Sequence, residues 1–239
     1  EESTDFIPVL DPTHHTSTRI KAPPRDANTP TTKDNVIPAP SPYWGATPIW
    51  DSQTNIHNPM FDQDGRVWLT QRIRGPETPA FCRAGSSHPS AKLFPTERTG
   101  RNLAVYDPKT KKFSLIDTCY STHHLNFAYD ADNTLWTSGG GDVIGWLNTK
   151  MYLATGDEQK SQGWTAMILD TNGDGKRGVY TEPGQPQDPA KDMRVRTGYY
   201  AVAISPKDGA IWGSFIGYPN GGVVRLAPVQ PHGASAELE

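Results

Sequence analysis

The chain repeats one short pattern three times, at Asp64–Trp68 (DGRVW), Asp132–Trp136 (DNTLW) and Asp208–Trp212 (DGAIW). In each copy Asp-Gly or Asp-Asn favours a tight turn, and the residues after it favour a strand that ends on tryptophan. An apolar stretch precedes each copy, so each turn joins two strands. The copies lie roughly 70 residues apart, and a strand-and-turn unit repeated at long period is typical of a propeller or array. The sequence therefore predicts an all-β fold, a β-propeller with long blades, in which Trp68, Trp136 and Trp212 are mostly buried between blades.

The composition agrees with a turn-rich β-protein. The 239 residues include 22 Gly and 22 Pro, which favour turns and disfavour long helices. A chain of this length can bury one large core. The net charge of −3 gives no basic excess that would indicate nucleic acid as a partner. Because no apolar run reaches the roughly 20 residues of a membrane helix, we also expect no membrane span.

Three segments are expected along the chain. Residues 1–53 hold one hairpin of a partial outer blade and a Pro-rich linker at 22–43. Residues 54–228 hold the blades, and 229–239 form a C-terminal tail whose last two residues resemble a cloning scar. About three complete blades are expected, at 54–116 with a long insertion from 75 to 101, at 122–170, and from 197 to 226. The weak helical pattern at 148–158 is short and flanked by glycines.

The number of blades has a consequence for assembly. Closed propellers have about four to eight blades, so three cannot close a ring. Open strand edges expose unpaired N–H and C=O groups and favour association. We therefore expect either missing blades in a longer protein or a homo-oligomer, with contacts near residues 6–20 and 197–226.

The order of inner strand, Asp-Gly-x-hydrophobic-Trp and the Asp107-Pro108 hairpin resembles the streptogramin lyase (virginiamycin B lyase) family and the wider set of bacterial extracytoplasmic propellers. The resemblance covers roughly residues 54–226. It implies a secreted or periplasmic protein, although the chain shows no signal-peptide pattern. It also implies lyase chemistry, for which that family uses a His and a Glu with bound magnesium. No local motif matches those residues, so none is transferred to this chain. The long blades and the incomplete blade count depart from the family pattern.

Polar side chains occur where the predicted inner strands begin. They are Asn55 and His57, then His123 and His124, then Tyr199 and Tyr200. We expect them to converge on one mouth of the central channel, with the histidines as candidate catalytic residues and the others as ligand-binding residues. Imidazole can act as a base or as a metal ligand. Since neighbouring residues on a strand point to opposite faces, only one of His123 and His124 should face the axis. The alternative is that these histidines only pack within the structure.

Residues 170–175 resemble the start of a calcium loop. Asp170, Asn172 and Asp174 supply oxygens at positions 1, 3 and 5, and Gly175 occupies position 6. The match fails later, because position 12 is Thr181 rather than Glu. A calcium or magnesium site is one interpretation, and a hairpin turn made by Asn-Gly and Asp-Gly is the other. Nothing in the sequence indicates an organic cofactor.

The chain has two cysteines, Cys82 and Cys119. Two cysteines in a secreted protein often pair, but two unrelated buried thiols fit the sequence equally well.

Two classes of function remain open on the sequence. In one, the protein is a lyase-like enzyme that acts on a small molecule in a His-lined channel. In the other, it is a non-catalytic binding or scaffold propeller within a larger assembly. A carboxylate near the histidines would favour metal-assisted chemistry, and the absence of one from the predicted inner strands favours the second class. The family resemblance favours the first.

Overall fold

Strands in largely antiparallel sheets are the main regular secondary structure of the computed structural model, which describes residues 4–31, 42–43, 45, 51–139, 141, 143–176, 178–196, 198–216 and 221–226. The all-β prediction is confirmed, and no sheet in this described part closes on itself. The propeller architecture and its blade count stay predictions. Residues 32–41 of the predicted linker and the predicted tail at 229–239 lie outside the described residues.

The chain divides into two compact units. Unit 1 comprises residues 1–77 and 100–117, and unit 2 comprises residues 78–99 and 118–239. Most of the predicted insertion therefore belongs to unit 2, although the flanking strands of its predicted blade belong to unit 1.

Unit 1 contains a hairpin and a four-stranded sheet. Its strands are β1 (Phe6–Asp11), β2 (Thr16–Lys21), β3 (His57–Phe61), β4 (Val67–Gln71), β5 (Asn102–Asp107) and β6 (Lys112–Ile116). Strands β1 and β2 pair with each other, and β3 to β6 pair antiparallel in chain order. The predicted hairpins at 6–21 and 105–116 are confirmed.

Unit 2 contains a six-stranded and a three-stranded sheet. Its strands are β7 (Leu125–Phe127), β8 (Thr134–Thr137), β9 (Val143–Asn148), β10 (Gln162–Leu169), β11 (Tyr180–Thr181), β12 (Asp192–Val195), β13 (Tyr199–Ile204), β14 (Ile211–Phe215) and β15 (Gly222–Leu226). The larger sheet has the order β11-β12-β10-β9-β8-β7, and only its β11–β12 pair is parallel among the described strands. The smaller sheet has the order β13-β14-β15.

The helices are short. Unit 2 has a 3₁₀ helix at Ala80–Cys82 and the α-helices α1 (Pro89–Leu93), α2 (Thr149–Thr155) and α3 (Glu158–Ser161). Helix α2 lies in the stretch with a weak helical pattern: Asn148 caps its start, and Gly156 ends it in the left-handed conformation. None of the helices in the described ranges is long and apolar enough to span a membrane.

The repeated tryptophan strands occupy equivalent positions. Trp68 lies on β4, Trp136 on β8 and Trp212 on β14, and each of these is the second strand of its run in chain order, paired on both sides. The turn before β4 is held by Asp62, two residues before the repeated Asp64. Asp62 Oδ1 accepts from the N–H groups of Asp64 and Arg66, each at 2.9 Å.

Burial of the three tryptophans differs from the expectation in one case. Trp68 and Trp136 are buried, but Trp212 is 43% exposed, so the expected burial of Trp212 is wrong. On β14 the buried side chains are those flanking Trp212, which places its indole on the opposite face of the sheet. There the guanidinium of Arg225 lies 6.0 Å from its ring centroid.

We predict that Trp68→Ala and Trp136→Ala each lower the free energy of unfolding by about 3–5 kcal/mol, the usual effect of truncating a buried large aromatic side chain. Trp212→Ala should lower it by less than half as much because Trp212 is partly exposed. Urea denaturation followed by circular dichroism measures all three values. Equal losses in the three variants would contradict the burial difference.

Candidate functional site

His123 and His124 lie just before β7 and are fixed by the end of β8. The His123 N–H donates to the Ser138 carbonyl at 2.5 Å, and the Ser138 N–H donates to the His124 carbonyl at 2.9 Å. The last regular pair of β7 and β8 is Leu125 with Thr137. Beyond it both histidines bond to the same residue, Ser138, so the pairing is irregular there. The two histidines are therefore held by backbone bonds although they lie outside the strand.

Both imidazole rings contact Tyr200, the second residue of β13. The ring centroids of His123 and His124 lie 5.1 and 4.9 Å from that of Tyr200, and 4.2 Å from each other. The expectation that the two histidines point in opposite directions is wrong. Strict alternation holds only within a strand, and both residues precede β7. The structure thus brings together three of the predicted site residues, all in unit 2.

The Tyr200 carbonyl fixes the tautomer of His124. His124 Nδ1 lies 2.7 Å from this oxygen, which also accepts the Ser138 hydroxyl at 2.7 Å. A carbonyl can only accept, so Nδ1 carries the proton and donates. In the neutral ring the lone pair then lies on Nε2, the nitrogen that can take a proton or bind a metal.

The donor atoms of the pair do not suit magnesium. One nitrogen of His123 and one of His124 lie within 4.8 Å of each other. Imidazole nitrogen suits zinc, copper or nickel, whereas magnesium prefers oxygen ligands. Among the described residues of unit 2 alone, no three His, Cys, Asp or Glu side chains come close enough to form a metal site. The residues therefore do not fit the magnesium ion implied by the family resemblance.

Two further residues predicted for the channel mouth, His57 and Asn55, belong to unit 1. His57 is the first residue of β3 in unit 1, and its carbonyl accepts the Thr70 hydroxyl at 3.1 Å. Asn55, also in unit 1, is buried with a positive φ of 45°, and its side chain accepts from Arg101 Nε at 2.7 Å. That His57 and Asn55 belong to the same site as the unit 2 histidines stays a prediction.

Tyr199 lies in the core of unit 2. It is 1% exposed and packs in a cluster that includes Trp136 and Ile144. Its ring covers Gly213, where an added Cβ would lie 2.2 Å from the ring. Tyr199 and Tyr200 therefore point to opposite faces of β13, and Tyr200 is the one whose ring contacts are described above.

The acidic loop at 170–176 is a series of side-chain-to-backbone turns between β10 and β11. Asp170 accepts from the N–H groups of Gly173 and Gly175, at 2.7 and 2.9 Å. Asn172 and Asp174 each accept from the N–H two residues further on. The hairpin interpretation is wrong, because β10 and β11 do not pair with each other and β12 lies between them in the sheet. That this loop binds calcium stays a prediction.

Cys82 and Cys119 form a disulfide within unit 2, which resolves the alternatives left by the sequence. Beside it, His88 is stacked on Trp164 with centroids 4.7 Å apart. His88 Nε2 donates to the carbonyls of Gln159 and Gln162, and its Nδ1 accepts the Ser90 N–H. Burial lowers the pKa of His88. With both ring nitrogens bonded to main-chain groups, His88 has a structural role.

Unit 2 also contains a cleft of about 340 Å³ that sequence reasoning missed. Its walls come from residues 93–96, 98, 99, 119–121, 141 and 143 and from the β11–β12 region. These segments are far apart in the sequence, and none carries a recognisable motif. Among these wall residues, Cys119 is the one that the sequence predictions included.

Comparison with known proteins gives no family: no family model matches the chain, and no curated protein matches it.

If residues 170–176 bind calcium, excess EDTA should lower the melting temperature of the protein. Asp170→Ala should remove this sensitivity, since Asp170 supplies the first predicted ligand. The matched control is Asp188→Ala, because Asp188 is also exposed and accepts a backbone N–H two residues on. Differential scanning calorimetry with EDTA or with added calcium measures the effect. An unchanged melting curve would identify the loop as an ordinary turn.

Proposed function

We propose that this protein is a secreted or periplasmic propeller that acts on a small molecule as a lyase, with His124 as its general base. The observation that supports this most directly is the 2.7 Å hydrogen bond between His124 Nδ1 and the Tyr200 carbonyl. The resemblance of the tryptophan strands to streptogramin lyases supports the reaction class.

In an elimination, a base takes a proton from carbon, a double bond forms, and the leaving group departs with the bonding electrons. The base must hold an unprotonated nitrogen towards the substrate. Because the Tyr200 carbonyl keeps the proton on Nδ1, Nε2 of neutral His124 is the nitrogen for this step. A positioned base of this kind contributes about 10²–10⁴-fold to the rate.

His123 and Tyr200 would form the surface against which the substrate binds. Tyr200 is 44% exposed although its ring contacts both histidines. Part of that ring is thus available to a ligand, and aromatic faces bind flat or apolar groups well. The proposed ligand therefore lies over the Tyr200 ring with its acidic carbon towards His124.

A second candidate function is binding without catalysis. It is supported by the chemistry of the two imidazole nitrogens that lie close together, which do not suit the magnesium ion used by the resembling lyases. In this alternative the same three side chains bind the ligand but do not transform it.

The disulfide supports the proposed location outside the cytoplasm. Stable disulfides form in oxidising compartments and are rare in the cytosol. Cys82 and Cys119 are both fully buried, as expected for a structural pair.

We also propose that copies of the chain associate. The edge strand β15 exposes 67% of Val223, and β1 exposes 72% of Leu10. Apolar side chains on strand edges favour pairing with another chain.

The substrate is unidentified, and virginiamycin B, the compound for which the resembling family is named, is the first one to test. If the wild-type protein converts it, His124→Gln should lower turnover by about 10²–10⁴-fold. Chromatography with mass spectrometry measures the product. The matched control is His14→Gln, which removes an exposed histidine that pairs with Asp11. The same assay on His57→Gln tests its predicted role.

Unchanged turnover in His124→Gln would exclude His124 as the base. Binding of the compound that is lost in His124→Gln, with no turnover by wild type, would support the second candidate.

We predict a dimer or larger oligomer at tens of micromolar, measured by light scattering. Val223→Lys should shift the population towards monomer, because a charge on an edge strand opposes pairing. A wild-type protein that is monomeric at this concentration would refute the proposal.

A further inference from the structure

One face of the three-stranded sheet β13–β15 packs in the core of unit 2. Its aliphatic side chains in the core cluster are Val202, Ile204, Ile211 and Leu226. The same cluster contains Trp136 of β8, so the Trp136 face of the six-stranded sheet packs against this aliphatic face. Trp136 is only 2% exposed as a result. The second tryptophan strand of the repeat is thus buried by the sheet that follows it in the chain.

The opposite face of β13–β15 has Trp212 at its centre. The residues that share this face, in two rows across the three strands, are Ala203, Trp212 and Arg225, then Ala201, Ser214 and Val223. Trp212 is 43% exposed and Val223 is 67% exposed. The solvated face of an antiparallel sheet is usually polar, but apolar side chains predominate on this one. The composition of the Trp212 face is therefore that of a face which another sheet covers, as Trp136 is covered.

The rim of the Trp212 face carries one charge of each sign. Arg225 Nη2 lies 2.7 Å from Asp208 Oδ2, and the two side chains are 43% and 44% exposed. A second copy of the chain, turned through 180°, can place its Asp208 next to Arg225 of the first copy and its Arg225 next to Asp208 of the first. The two apolar centres then meet. The charges of this face therefore complement those of the same face on a second copy.

We propose that two copies of the chain associate with two-fold symmetry through the Trp212 face of β13–β15. This inference rests on the association of copies proposed above, and it assigns the contact to a sheet face rather than to a strand edge. Three short strands form a small interface, so we expect a weak dimer with a dissociation constant in the micromolar range. Trp212 lies at the centre of the contact, where large aromatic side chains contribute most to binding.

Sedimentation equilibrium measures the dissociation constant of the wild-type dimer and of variants. Ala203→Arg places a long charged side chain beside Trp212 and removes no core side chain. It should raise the dissociation constant about tenfold or more, because it holds the two faces apart and sets like charges against each other. The control is Val179→Arg, which adds the same charge at an apolar position that is 74% exposed and lies outside the three-stranded sheet. It should dimerise as the wild type does.

Mixing two charge variants tests the two-fold arrangement. Asp208→Arg and Arg225→Asp each leave like charges at the rim, so each variant alone should dimerise about tenfold more weakly than the wild type. An equimolar mixture should dimerise more tightly than either variant alone, because one copy then presents two positive charges and the other two negative charges. Mixing cannot repair a folding defect within one copy, so this gain reports on the contact between copies.

The outcomes separate this inference from the proposed association. A wild-type protein that is monomeric at tens of micromolar would contradict both. A wild-type dimer that Ala203→Arg leaves unchanged would preserve the association and overturn its assignment to the Trp212 face. A mixture that dimerises no more tightly than its two components would overturn the two-fold arrangement.

Discussion

The disulfide between Cys82 and Cys119 is the constraint on which unit 2 depends most. It closes a sequence separation of 37 residues, and a loop of this length corresponds to about 4 kcal/mol of stabilisation in the chain-entropy model. Nearby, Trp164 of β10 donates two hydrogen bonds to the segment 78–99: its backbone N–H donates to the Ser90 hydroxyl, and its indole N–H donates to the Phe94 carbonyl. The segment 78–99 is thereby fixed to a sheet that is distant in sequence. This attachment holds Phe94 and its neighbours in place, and these residues form one wall of the cleft.

A second constraint joins the two sheets of unit 2 through one oxygen. The Tyr200 carbonyl of β13 accepts from the Ser138 hydroxyl, at the end of β8, and from His124 Nδ1, before β7. The same contact therefore packs the sheets and selects the tautomer of the candidate base. A substitution of His124 affects both packing and chemistry, so turnover and ligand binding have to be measured together.

The sequence predicts the parts of this structure that local signals encode. Asp-Gly and Asp-Asn turns followed by apolar residues identify the strands of Trp68, Trp136 and Trp212 correctly, because turn geometry and strand propensity are local. The exposure of Trp212 is not local, since it depends on what covers each face of β14. The same limit applies to the cleft, whose walls come from four separate segments. For the histidines, the position was predictable from the strand start, but their joint contact with Tyr200 required the irregular backbone before β7.

The partner of His124 also bears on the choice between enzyme and binding protein. A backbone carbonyl fixes which nitrogen holds the proton, as a carboxylate would, but it brings no full negative charge to stabilise the imidazolium formed when the base is protonated. The Tyr200 carbonyl therefore orients the His124 ring. The negative charge that would compensate the imidazolium has to come from another group. In a lyase that charge would come from the substrate, for instance from the anionic leaving group that forms as the proton is taken. A neutral ligand without such a group would bind over Tyr200 unchanged, so the chemistry of the ligand decides between the two functions at one and the same site.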